Sequence, residues 1–154
     1  MSTWNGLQVA VDLATRQRDN AGQALAQVVR RVDHARMQME QLNSYAADTA
    51  ARWSMASQTS ATPQIVGHYY QFMERLDQTI EMQQGAIAEV QRQREAARQV
   101  LLEAEVRMAG LNRLLERRRA EQARAQEQRE QRQSDELAAQ MHRRVALARE
   151  NGGT

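Results

Sequence analysis

The sequence predicts an all-α protein: a long antiparallel two-helix coiled-coil hairpin whose second helix projects beyond the first. Three observations predict it. Tyr69, Met73, Leu76, Ile80, Gln83, Ile87, Val90, Arg94, Ala97, Leu101, Ala104, Met108, Leu111 and Leu115 recur at alternating steps of four and three. Leu7, Val11, Ala14, Arg18, Ala21, Leu25, Val28, Val32, Ala35, Met39, Leu42, Ala46, Thr49 and Trp53 repeat that alternation. Between them lies a stretch rich in Ser, Thr and Gln that holds the single Pro, the composition of a loop. A heptad repeat sustained this far marks a coiled coil, and each seam is the other's available partner.

Composition agrees. Aromatic residues make up 4% of the 154 residues and charged residues 26%, and one Pro and seven Gly leave little material for strands and turns. That is the profile of long helices rather than of a layered core. The formal net charge is +2 and all 21 basic residues are Arg. The sequence pI of about 9.6 reflects the late titration of Arg rather than a large basic excess. Cys is absent, which excludes disulfides and thiolate chemistry and suits a reducing compartment. No apolar run approaches the roughly 20 residues of a membrane span, and the N-terminus lacks the basic-then-apolar pattern of a signal peptide. A cytoplasmic protein is expected.

Taken in order, Ser2 or Thr3 can cap the first helix, which is expected over about 3–57. Gly22 falls in mid-helix, either as a close approach or as local softness. The loop is expected at about 58–62. Thr62-Pro63 then reads as a helix start, Thr as the cap and Pro at the first helical position, where its missing N–H costs nothing. The second helix is expected over about 63–149, followed by a disordered Asn151-Gly152-Gly153-Thr154. The chain is thus read as one hairpin over 1–154.

The seams match when paired residue numbers sum to 122, so that Leu7 faces Leu115, Val11 faces Leu111 and Trp53 faces Tyr69. Leu25 then meets Ala97 and Leu42 meets Ile80. Five layers set large against small: Ala14 on Met108, Ala21 on Leu101, Leu25 on Ala97, Ala35 on Ile87 and Ala46 on Leu76. This keeps the interaxial distance even. Arg18 and Arg94 fall in separate layers, where each can carry its head out to solvent. A seven-residue repeat implies a left-handed supercoil.

The second seam stops at Leu115, where the first helix runs out near Trp4. From Glu116 to Glu136 no apolar residue is larger than Ala. This projection is expected to be held by helix propensity and by pairs such as Glu121–Arg117 and Glu127–Arg124. Leu137, Met141, Val145 and Ala148 form a brief apolar set beyond it.

Chemistry is nearly absent. His34, His68 and His142 are far apart, and no His-x-x-x-His or Glu-x-x-His pair occurs. No phosphate-cradling Gly-rich loop or nucleophile–base pair presents itself. Neither catalysis nor a metal or cofactor is expected. Arg117-Arg118-Arg119 suggests phosphate binding, but from Glu116 to Glu136 six Arg are balanced by six carboxylates. Counterion release needs a one-signed face, so no nucleic-acid partner is expected. Nearly all aromatics cluster near the loop. Trp53 and Tyr69 lie on the seams and read as core. Tyr45 and Phe72 lie off them and read either as surface anchors for a partner or as packing on the flank of the pair; as an anchor, Phe72 is expected to be replaceable by Ala with melting nearly unchanged.

Tyr69-Tyr70-Gln71-Phe72-Met73-x-x-Leu76-x-x-x-Ile80 resembles the Y-x-Q-F-x-x-x-L-x-x-x-I segment of the flagellar FliJ family. Leu42-x-x-Tyr45 and the terminal Asp135-Glu136-x-Ala138 with its following Arg residues are similar to that family as well. The resemblance implies a soluble component of the flagellar type III export apparatus, built as a stalk similar to the rotor shaft of rotary ATPases. It implies that the paired termini engage an export ATPase hexamer, here through Trp4, Leu7, Arg117, Arg118 and Arg119. It implies that the middle contacts the cytoplasmic domain of the export gate, here through Gln38, Leu42, Tyr45, Phe72 and Leu76. Export chaperones are further partners so implied, with the membrane reached only through partners and a monomer in isolation. The chain departs from the family pattern at Thr49, Thr79 and Gln83. The resemblance extends to the equivalent stalk of virulence-type secretion systems. A generic self-associating or nucleic-acid-associated coiled coil is the other functional class, and it differs in predicting a dimer or a salt-sensitive complex.

Overall fold

The computed structural model describes residues 2–59 and 61–152, with side chains from Asn5 onward. The described chain is two helices: α1, Ser2–Ala56, of 55 residues, and α2, Pro63–Gly152, of 90 residues. They pair antiparallel, which is the predicted fold class. By contact the chain forms two compact units. One joins residues up to Asp12 to those from Met108 onward, and the other is Leu13–Arg107.

Both helix ends at the loop are closed by hydroxyl groups. The Ile65 backbone N–H donates to Thr62 Oγ1 at 3.3 Å, and the Val66 N–H donates to the Thr62 carbonyl at 3.1 Å. Thr62 is therefore a true N-cap, with Pro63 at the first helical position, where no donor is lost. At the end of α1, Ser57 Oγ donates to the Ser54 carbonyl at 3.2 Å, and Thr59 Oγ1 donates to the Ala56 carbonyl at 3.0 Å. These bonds satisfy carbonyls that a helix C-terminus leaves open. No described residue has a positive φ, so the chain reverses without a left-handed glycine. The capping reading of Ser2 and Thr3 lies outside the described side chains. Asn151 and Gly152 belong to α2 rather than to a disordered end.

Burial follows the seams. Each of the 28 seam residues, fourteen per helix, is buried or half-buried, and most residues between them are exposed. The cover is uneven. Seven α1 seam residues are fully buried, with Val32 at 1% and Ala14 at 2% exposure, whereas in α2 only Leu76 and Leu115 reach that class.

In the unit built from the chain ends, Leu7, Val11 and Leu115 form a cluster with Leu111 packed against it. In the unit Leu13–Arg107, the Trp53 and Tyr69 rings stack at 4.4 Å and 7°. Both groupings agree with the pairing in which residue numbers sum to 122. A Cβ placed on Gly22 would meet only Leu101 Cδ1 at 4.0 Å, so this glycine marks no close approach of the helices. Arg18, half-buried on its seam, donates from Nε to Asp19 Oδ1 at 2.8 Å. Its head is held by a neighbour on the same helix rather than free in solvent.

Past the end of the seam every residue from Gln126 to Gly152 is exposed. The expected Glu121–Arg117 and Glu127–Arg124 ion pairs are not formed. Gln126 Nε2 instead donates to Glu130 Oε1 at 3.3 Å, and Gln131 Nε2 to Asp135 Oδ1 at 3.1 Å. The exposed Glu89–Arg92 and Glu95–Arg98 pairs do form, with the carboxylate N-terminal to the arginine; in the two unformed pairs the arginine comes first, the less favourable order on a helix. A Gln–carboxylate contact at four residues' spacing adds a few tenths of a kcal/mol to the helix, about as much as an ion pair would.

Candidate partner-binding surfaces

The first surface lies in the unit Leu13–Arg107. Heptad geometry puts Gln38, Tyr45 and Phe72 each one residue before a seam position, on the same flank of the helix pair. Tyr45 and Phe72 meet there edge to face, with ring centroids 6.0 Å apart and planes at 77°. The contact is favourable, because the positive edge of one ring faces the negative face of the other. Each ring covers part of the other, as packing on the flank of the pair requires. Even so, Tyr45 remains 55% and Phe72 38% exposed. Leu42 is half-buried, and Leu76, at 8% exposure, is a core residue that supports the surface from below.

A shallow groove beside the rings is lined by Gln38, Gln41, Leu42, Tyr45 and Gln83. Gln83 occupies a seam position and reaches across to α1. Its Nε2 donates to the Ala35 carbonyl at 2.9 Å and to Gln38 Oε1 at 3.2 Å. The Gln38 amide is thereby held in place beside the exposed rings. Gln41 and Gln83 were not among the expected site residues. Gln41 carried a signal, lying three residues after Gln38 on the same face. Gln83 carried another, being an uncharged polar residue in an otherwise apolar run of seam.

The second surface lies in the unit formed by the chain ends. Leu7, at 8% exposure, is packed into the Leu7–Val11–Leu115 cluster, so it anchors the end of the seam and presents little surface of its own. The Trp4 side chain lies outside those described. The three consecutive arginines point in different directions, as 100° steps around a helix require. Arg117 is exposed and Arg118 half-buried. Arg119 Nη2 donates to Gln8 Oε1 at 3.3 Å, joining α2 to the start of α1. A shallow depression lined by Arg119, Gln122, Ala123, Ala125, Gln126 and Arg129 follows on α2. Beyond it the helix is polar until Leu137, Met141, Val145 and Leu147, which are 52–65% exposed.

His34, His68 and His142 are all exposed. Among the described residues no group of three His, Cys, Asp or Glu side chains is placed to hold a metal ion. No described helix is long and apolar enough to cross a membrane. What the molecule offers to chemistry is surface: an aromatic patch with ordered amides on one unit and a charge-balanced polar helix on the other.

Comparison with known proteins gives one match. The family described as "Flagellar FliJ protein" matches residues 5–147. No curated protein and no solved structure matches the chain. A match spanning nearly every residue of both helices shows that the chain belongs to the flagellar FliJ family, whose members are non-enzymatic components of the flagellar export apparatus.

Proposed function

We propose that this protein is a non-enzymatic coupling stalk of the flagellar type III export apparatus. It links the export ATPase ring to the cytoplasmic domain of the export gate and to export chaperones. It works in the cytoplasm and reaches the membrane only through these partners. The observation that carries this reading is the presence, among the described residues, of two chemically distinct surfaces on a helix pair. One is the partly exposed Tyr45–Phe72 pair beside the Gln38 groove. The other is the charge-balanced stretch of α2 beyond Arg119.

The two surfaces suit different partners. Aromatic anchors with satisfied amide neighbours make a compact interface core, as gate recognition through Gln38, Leu42, Tyr45, Phe72 and Leu76 requires. A polar helix lacking a net charge and a packed apolar stripe suits insertion into the pore of an ATPase hexamer. Tight apolar packing would lock a single shaft into one of six equivalent positions, whereas hydrated contacts exchange cheaply. In this arrangement Arg117, Arg118 and Arg119 sit at the rim of the ring, with Leu7 closing the seam behind them and Trp4 as a further expected contact.

Truncation after Ala125 tests the assignment, because it removes only exposed residues. The shortened protein should melt like the full chain and bind the gate domain, and it should neither bind nor stimulate the export ATPase. Undiminished engagement of the ATPase by the shortened protein would overturn the reading. Tyr45→Ala and Phe72→Ala should each weaken gate binding by more than about 1 kcal/mol, as loss of an interface anchor does.

A further inference from the structure

The loop end of the unit Leu13–Arg107 has a property that the stalk reading does not use. From Trp53 to Met73 no residue is Asp, Glu, Lys or Arg, in a chain that is 26% charged. The flanking residues, Arg52 and Glu74, restore the usual pattern at once. Large apolar side chains stand exposed within this stretch: Met55 at 76%, Ile65 at 48%, Tyr70 at 65% and Phe72 at 38%. Three hydroxyls of the loop end are engaged locally, Ser57 and Thr59 on the carbonyls of α1 and Thr62 on the first turn of α2. Taking this end out of water therefore buries no Asp, Glu, Lys or Arg, and the amides of Gln58, Gln64 and Gln71 and the imidazole of His68 are the polar groups that a partner must serve.

We infer that the loop end seats in a concave, uncharged apolar socket on a partner protein, with Met55, Ile65, Tyr70 and Phe72 as contact residues. The position of the side chains favours a socket over a lipid surface. A flat bilayer laid on the loop meets Ser57–Thr62, where no side chain is apolar beyond Ala61. Tyr70, seven residues into α2, stands about 10 Å back from the loop at 1.5 Å per residue, and Phe72 about 14 Å back. A plane cannot touch all of them at once, but the walls of a cleft can. Without charge on this side, the matching walls must also lack charge, since any unpaired ion there would be buried. Association should then be insensitive to ionic strength, unlike contacts made through exposed charges.

The inference rests on the gate reading for the identity of the partner, and the experiment separates the two. Binding of the full chain to the gate cytoplasmic domain is measured by calorimetry at about 50 mM and about 0.5 M salt. Ile65→Glu, Tyr70→Glu and Ile65→Leu are compared with Phe72→Ala, and melting curves confirm that each folds. Support would be an affinity that changes less than about two-fold with salt, falls at least ten-fold in both glutamate variants, and survives in Ile65→Leu. If Ile65→Glu and Tyr70→Glu bind like the unaltered chain while Phe72→Ala does not, the gate reading stands and the wider footprint is overturned. If the unaltered chain does not bind the gate domain, the gate reading falls and the footprint with it. Sedimentation with phosphatidylcholine vesicles that Ile65→Glu abolishes would assign this end to lipid and overturn the socket.

Discussion

Val32 and Val106 offer the same side chain in the same unit with opposite surroundings. Val32 is 1% exposed at the centre of the α1 seam, and Val106 is 66% exposed on α2. Truncation to Ala removes about two methylene equivalents, worth roughly 0.8 kcal/mol each when fully buried. At Val32 the loss is therefore about 1.6 kcal/mol, and the cavity left between helices that cannot fully close adds to it. Ala is the better helix former and returns roughly 0.5 kcal/mol. The net destabilisation is about 1.5–2 kcal/mol, which lowers the melting temperature by roughly 3–8 °C for a chain of this size. At Val106 about a third of the same transfer term applies, and the helix propensity of Ala cancels it, leaving a shift near zero. Thermal melts followed by circular dichroism at 222 nm compare the two directly. Equal shifts would refute the claim that the seam, rather than helix propensity, holds this unit together.

Four further outcomes are expected. Gly85→Ala, at a position where a Cβ meets nothing within 4 Å, should stabilise the fold by about 1 kcal/mol; a lower melting temperature would show an undetected contact. Gln83→Leu should raise the melting temperature, because the Ala35 carbonyl already serves the α1 ladder and an apolar seam residue gains burial; a clear drop would mean that the Gln83–Ala35 bond is needed. Phe72→Ala should cost the fold about 0.5–1.5 kcal/mol through loss of the edge-to-face contact with Tyr45, and a double-mutant cycle with Tyr45→Ala isolates that coupling. Amide exchange should be fast from Gln126 to Gly152, where no side chain is covered, and slow around Val32 and Leu76; protection throughout α2 would contradict the picture of an unsupported projection.

Much of this molecule was legible because a coiled coil is the fold in which local pattern and tertiary contact share one period. The spacing of Leu7, Val11 and Ala14 or of Leu76, Ile80 and Gln83 sets which face is covered. Helical geometry then allows little else once a partner helix exists. Thr62-Pro63 declared its helix start by chemistry that acts within four residues, and the structure shows the predicted bond to the Ile65 N–H. The absence of Lys and Cys and the even mixture of Arg with carboxylates were likewise properties of the sequence alone.

What the sequence did not decide was how individual side chains settle where several arrangements cost nearly the same. Glu121–Arg117 and Glu127–Arg124 had suitable spacing yet stayed apart, whereas Glu89–Arg92 and Glu95–Arg98, with the carboxylate first, are paired. Tyr45 and Phe72 lie 27 positions apart in sequence and off both seams, and only the closing of the hairpin brings their rings to 6.0 Å. Gln83 reaches the Ala35 carbonyl and Gln38 for the same reason. The uneven cover of the seams, deep on α1 and partial on α2, is likewise not written in the spacing, which is the same on both helices. The sequence by itself determined the helices, their period and the place where pairing ends, since those follow from local spacing and from the solvation of apolar groups. The tertiary structure decided which flanking residues become a surface, because contacts across the pair depend on register and side-chain reach, which no local pattern encodes.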